Sequence, residues 1–213
     1  MAVADLHRHL PAVPPCDLLV VAGDVVGMFD PEPARRAFLR GPVRDWLDAV
    51  PAGAVVMVTG NHELVDGAVL DELPWRVLRD ETAQVAGLRV HGPAWRSQKL
   101  DWEYQDGLGR YPPGGLPPRF AAVPEGVDVL VSHEPPEGLL DAEPGRAGHG
   151  SAALRRTVEG AHPRLVVCGH VHGAHGRVRH GATLVVNAAQ AGQHDGAPCH
   201  RPVVLDLLGV PTP

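Results

Sequence analysis

Five stretches of the chain are almost wholly apolar, and each runs out into polar residues or glycine. They are 17–24 (DLLVVAGD), 54–63 (AVVMVTGNHE), 126–136 (GVDVLVSHEPP), 163–172 (PRLVVCGHVH) and 181–189 (GATLVVNAA). Each carries β-branched residues in an unbroken run, without the alternation of a half-exposed strand. That pattern predicts strands covered on both faces. Between them, Phe38, Val43, Trp46 and Leu47 recur at helical spacing and predict a helix over 33–49, with Gly41-Pro42 expected to break or kink it. Shorter helices are predicted over 62–72 and 150–160, the second capped by Ser151 or Gly150. Residues 75–92 read as short strands in succession. The alternation of strand and helix predicts an α/β fold. A length of 213 residues suits a single domain over 1–213. Residues 96–120 contain Pro112-Pro113, Gly114-Gly115 and Pro117-Pro118, which predict a long irregular excursion of the kind that often carries function.

The polar residues at the ends of these runs are not arbitrary. In α/β sheets, sites form beyond the carboxyl ends of the strands. Asp5 and His7 follow a short apolar start, Asp24 follows the first long run, and Asn61 and His62 follow the second. His133 ends the third run, and His170 and His172 end the fourth. Asp5 and His7 are two apart, as are His170 and His172, so on an extended chain each pair would face one side. Asn61 and His62 are adjacent and diverge, so one can bind a metal while the other meets a substrate. Imidazole and carboxylate together suit Mn, Fe, Zn or Ni better than an all-oxygen calcium site. No cysteine joins the set, which argues against a structural zinc finger.

Composition sharpens this picture in three ways. Thirteen histidines are many for 213 residues, and five of them fall at strand ends. The formal charge of −6 argues against a protein that coats extended nucleic acid or an anionic membrane. There is no apolar run long enough for a membrane span and no secretory signal at the N-terminus, and Cys16, Cys168 and Cys199 are too few and too scattered for a disulfide framework. A reducing, cytoplasmic setting is expected. Only four residues precede Asp5, so the strand presenting it is short or the natural start lies upstream.

Taken in order, DLH (5–7), GD (23–24), GNHE (60–63), SHEPP (132–136) and GHVH (169–172) resemble the calcineurin-like metallophosphoesterase superfamily. SHEPPEGLLD, PRLVVCGHVHGAHG and VVNAA are most similar to its metallophosphoesterase-domain subgroup, related to cyclic-nucleotide phosphodiesterases. The resemblance implies a two-sheet α-β-β-α sandwich and two divalent metal ions, Mn first, with Fe, Zn, Ni or Mg as alternatives. It implies that Asp5, His7, Asp24 and His172 hold one ion. Asp24 would bridge to a second, completed by Asn61, His133 and His170. His62 would stand beside the phosphoryl group as the catalytic acid, and the expected nucleophile is a hydroxide bridging the two ions. The two carboxylates cancel only half the charge of two divalent ions, so an acidic chain can still hold a phosphoester.

The sequence departs from the protein-phosphatase branch of that superfamily, in which GD continues with a second Asp and an Arg. Here the chain reads Gly23-Asp24-Val25-Val26-Gly27, and the carboxylate that would support the catalytic histidine is missing from that position. Asp66 and Glu63 are the candidates to replace it. A phosphodiesterase acting on a small nucleotide-like substrate is therefore the leading expectation. The alternatives are a phosphomonoesterase and a non-catalytic scaffold of the same fold. Trp95, Arg96, Trp102 and Tyr104 are candidates to stack on a base and contact phosphate. His149 and His175 are candidates to edge the pocket. The sequence does not set the oligomeric state.

Overall fold

A computed structural model describes residues 1–27, 29–93, 123–143, 145–146, 148–192 and 197–207. The apolar runs form strands that are buried on both faces, as their composition requires. One sheet contains β1 (Ala2–Val3), β2 (Cys16–Val21), β3 (Ala52–Met57) and β4 (Arg76–Val77), in that order and all parallel. The other has the order β5 (Glu81–Val85), β6 (Leu88–Gly92), β7 (Val129–Val131), β8 (Leu165–Cys168), β10 (Thr183–Asn187) and β9 (Gly176–His180). Its centre, β6 to β10, is parallel, while β5 and β9 close the edges antiparallel.

Successive residues of each strand serve different layers. Leu18, Val20 and Val56 of the first sheet pack against Val90, Val129, Val167 and Val186 of the second. Their neighbours Leu19, Val21 and Met57 point the other way, onto Phe38, Leu39, Val43, Leu47 and Leu70. On the far side, Leu130, Val166 and Val185 meet Leu154 and Val158. The layers are helices, sheet, sheet and helix, an α-β-β-α sandwich.

The helices depart from the sequence expectation in instructive ways. Gly41-Pro42 does not end the first one. Helix α1 (Glu32–Phe38) continues through a π turn (Leu39–Val43) into α2 (Arg44–Ala49), and the Arg44 N–H reaches back to the Leu39 carbonyl. The wider turn accommodates the proline, which has no N–H to give. The helix expected over 62–72 shrinks to α3 (Gly67–Asp71), because the chain before it is drawn into tight turns and the Asp66 side chain caps it at Ala68 N, 3.0 Å away. Helix α4 (Ala152–Ala161) starts at Ser151, whose hydroxyl accepts from Leu154 N at 3.2 Å, so of the two candidate caps Ser151 serves. Strand β9 lies outside the sequence expectation. Its arginines alternate on a half-exposed edge, a pattern hidden between two stronger apolar runs.

Strand β1 is short, yet Asp5 beyond it is not loosely held. Ala2 pairs with Val203 and Ala4 with Ala189, so further chain flanks β1 on the side away from β2. Asp5 is completely buried. Among the described residues no helix is long and apolar enough to cross a membrane.

Candidate metal centre

Backbone conformation, rather than strand pleat, aims the polar residues. Asp5, His7, Asp24 and His170 all lie in the left-handed region, with φ of 51°, 40°, 56° and 68°. The extended-chain reading of the Asp5/His7 and His170/His172 pairs is therefore replaced by a chain that turns at each residue. Such conformations cost roughly 1–3 kcal/mol each outside glycine, and they persist where the surroundings over-determine them. Here Asp5 N donates to Gly23 O at 3.0 Å and His7 N to Asp24 O at 3.0 Å, which zips the two corners together. Gly23 sits at φ +88°, and a Cβ there would lie 2.6 Å from Gly60 N and 2.7 Å from His133 Nδ1. Only glycine lets the two sheets' corners approach so closely.

The turns bring all seven expected ligand positions and His62 to one end of the sandwich. Asp5, His7 and His172 form one compact group, and Asp5, Asp24 and His133 another. His7 Nε2 and His172 Nε2 lie 3.2 Å apart. His133 Nε2 is 3.2 Å from Asp24 Oδ2 and 3.0 Å from Asn61 Oδ1, which is also 2.9 Å from His170 Nδ1. The carboxylate shared between the two compact groups is Asp5, whereas the family resemblance points to Asp24 as the bridge. His62 Nε2 stands 3.7 Å from Asp24 Oδ2 at the partly exposed mouth, with its ring edge-on to His7 at 5.2 Å.

Two observations test whether these donors fit cations. First, His7 Nδ1 faces Val26 O, His133 Nδ1 faces Ala22 O and His172 Nδ1 faces Gly192 O, at 3.2, 2.8 and 3.2 Å. Donating Nδ1–H to a carbonyl leaves Nε2 as a lone pair, and all three lone pairs then point into the cluster. Second, Asp5 Oδ1 is buried without a hydrogen bond among the described residues and faces His172 Nε2 at 3.4 Å, and a buried carboxylate oxygen is costly unless something positive meets it. The donor set fits divalent metal.

Without cations, protons do the neutralising. Burial opposes the charge on His133, but the adjacent Asp24 carboxylate overrides it and pushes the imidazole up to about 10. Burial likewise opposes charge on His172, and its contact with Asp5 raises it nonetheless. Asp5 and Asp24 are held below the usual carboxylate range in spite of burial, by His172 and His133 respectively. His170 is pushed down to about 4, by burial and then by the His133 charge. Metal binding here must therefore displace protons.

The residue that the sequence leaves undecided is Glu63. It does not support His62; its carboxylate is turned into the backbone. Oε2 accepts from Asp24 N at 2.8 Å and Gly60 N at 2.6 Å, and Oε1 from Val25 N at 2.6 Å and Val26 N at 3.4 Å. One buried side chain thus joins the GD and GNHE corners, and His62 N then donates to Asp24 Oδ1 at 2.8 Å. Asp66 is likewise occupied elsewhere, as the cap of α3. The available signal was an acid following three positions of GNHE, which reads equally well as a ligand, a base or a brace.

Trp95, Arg96, Trp102 and Tyr104, with the segment 96–120, lie outside the described residues. His149 is exposed, and no side-chain contact joins it to the cluster among the described residues. His175 gives Nδ1 to Ala189 O at 2.9 Å and stacks on His200 at 4.1 Å, so these contacts turn its side chain to partners other than the centre.

The sequence of residues 2–174 matches the model of the calcineurin-like phosphoesterases. The chain belongs to that family. Its members are metal-dependent phosphoester hydrolases, in keeping with the donor set. Human metallophosphoesterase domain-containing protein 1 is 28% identical over all of this chain and 71% of its own length. A cAMP/cGMP dual specificity phosphodiesterase of Mycobacterium tuberculosis is 27% identical over 73% of this chain and 48% of its own. A solved crystal structure superposes with a TM-score of 0.57 at 19% identity, covering 87% of this chain and 88% of that one, which supports the fold.

Proposed function

We propose that this calcineurin-like phosphoesterase is a phosphodiesterase acting on small nucleotide-like substrates with two divalent ions, Mn first among them. The observation that carries the metal part is the buried Asp5 Oδ1, without a hydrogen bond among the described residues, set among inward-pointing imidazole lone pairs from both sheets. Asp5, His7, Asp24 and His172 would hold one ion, and Asp24, Asn61, His133 and His170 the other. When bound, such ions supply Lewis acidity toward the phosphoryl oxygens and acidify water. The chain's own residues do the rest. The Nδ1 bonds to Val26, Ala22 and Gly192 fix the ring orientations. His62, at the open side, is placed to give a proton to the leaving oxygen, while its N–H holds Asp24 in place.

Preference for a diester is supported by the run Gly23-Asp24-Val25-Val26-Gly27, which lacks the second Asp and the Arg that follow GD in the protein-phosphatase branch, and by the named activity of the mycobacterial relative. The three free cysteines suit a cytoplasmic setting. The test is hydrolysis of bis-p-nitrophenyl phosphate against p-nitrophenyl phosphate with Mn²⁺, followed by 2′,3′- and 3′,5′-cyclic nucleotides. Faster turnover of the diester is expected. Preference for the monoester would make it a phosphomonoesterase, and no turnover of either with metal bound would make it a scaffold.

A further inference from the structure

The family match ends at residue 174, yet the corner bearing His170 and His172 is held from beyond that point. Asn187, the last residue of β10, is completely buried. Its Nδ2 faces Val171 O at 2.9 Å, Gly169 O at 3.3 Å and Leu140 O at 3.3 Å. Its Oδ1 accepts from Ala189 N at 3.1 Å. An amide has two N–H bonds, so three carbonyls share them, and two of the three are the carbonyls on either side of His170.

His170 is the residue that needs such a grip. It is not glycine, yet its φ is +68°. Its own N–H is committed to Asp5 Oδ2 at 2.8 Å, which ties the corner to the first sheet. Without a donor at position 187, the Gly169 and Val171 carbonyls would keep only the N–H groups of their own turn, Val171 N at 2.8 Å and Ala174 N at 3.0 Å. The side-chain tie from β10 to both residues that flank His170 would be gone, and with it a constraint on the directions of His170 and His172.

We propose that Asn187 is a positioning residue for the metal centre, which sets His170 and His172 by clamping the carbonyls that flank His170. This rests on the reading of those histidines as metal ligands. Loss of a partner that orients a ligand typically lowers metal affinity about 10–100-fold. The experiment is calorimetric titration of Mn²⁺ into the metal-stripped full chain, for wild type, Asn187→Asp and Val185→Ala, with a thermal melt of each metal-free protein. Asn187→Asp keeps the shape but sets a carboxylate against carbonyls. Val185→Ala opens a cavity in the core behind the same strand and is the control for general loss of stability.

The expected result is Mn²⁺ affinity lowered about tenfold or more by Asn187→Asp, with Val185→Ala within about twofold of wild type despite a lower Tm. Asn187→Asp binding within about twofold of wild type overturns the proposal. So does a Val185→Ala loss as large as that of Asn187→Asp. Should Asn187→Asp not fold, Asn187→Ser, which removes the amide without adding charge, is held to the same criterion. Wild-type protein that binds no Mn²⁺ overturns the metal-centre reading itself, and so is distinct from failure of Asn187 alone.

Discussion

Glu63 and Asn187 hold corresponding corners of the two sheets, and they do so with opposite chemistry. Glu63 is an acceptor that gathers backbone N–H groups from the corners after β2 and β3. Asn187 is a donor that gathers backbone carbonyls from the corner after β8. The first clamp is ionisable and lies beside Asp24. Burial and the Asp24 charge push its carboxyl up to about 7, against the pull of the N–H groups from Gly60 and Asp24. The second clamp is neutral at every pH. The brace of one corner can change its charge with pH and the brace of the other cannot, although both corners contain the same kind of left-handed turn.

The largest effect is expected at the residue common to both compact groups. Asp5 belongs to both compact groups and bonds the second sheet through His170 N. Asp5→Asn should abolish stoichiometric metal binding and reduce hydrolysis to background, read by elemental analysis and a diester assay side by side. Retention of metal and turnover would place the centre elsewhere. His62→Asn should have the next largest effect. General acid catalysis is worth about 10²–10⁴-fold, so turnover should fall by that order with metal content unchanged. Loss of metal in this variant would make His62 a ligand.

A smaller and more selective effect is expected at Glu63. A carboxyl raised from 4.5 to about 7 by folding contributes stability that is full below about 4.5 and is lost as pH rises through about 7. Metal-free Glu63→Gln should therefore lose a few degrees of Tm, through a buried N–H left facing an amide donor, at about 1–3 kcal/mol. Its Tm should also change less between pH 5 and pH 8 than that of wild type. Asn187→Asp, by contrast, adds an ionisable group to the neutral corner. Equal pH slopes for Glu63→Gln and wild type would erase the distinction between the clamps.

The smallest effect lies away from both corners. His91, on β6, is buried; its Nδ1 is 2.9 Å from Thr82 Oγ1, and its Nε2 has no partner among the described residues. Burial lowers its pKa from 6.5. Its neutral form is favoured by folding, so the stability it contributes is present above about 6.5 and is lost as pH falls below that value. His91→Leu should flatten the acid limb of the stability curve and leave metal binding untouched. An unchanged acid limb would show that His91 protonates without cost.

Much of this was legible in the chain because apolar strands ending in aspartate, asparagine and histidine form a pattern of type and order, and the sequence records both. A run such as Leu18-Leu19-Val20-Val21 cannot be exposed on either face, so the two-sided burial of β2, β3, β7, β8 and β10 followed directly from residue type. What was not legible depends on backbone direction and on partners distant in the sequence. Asp5 and His7 read as an extended pair because nothing local shows a positive φ; the turn is imposed by hydrogen bonds to Gly23 and Asp24. Glu63 read as an undecided acid, since its four N–H partners come from two separate corners. Gly41-Pro42 read as a break or a kink, and a π turn absorbs the proline without ending the helix.

A two-ion centre closed by residues from both sheets is tested most directly by anomalous diffraction from crystals of the full chain soaked in Mn²⁺. Two peaks are expected, one ligated by Asp5, His7 and His172 and the other by Asn61, His133 and His170, with Asp24 contacting both. A single peak, or peaks that leave Asp5 Oδ1 without a cation, would contradict it.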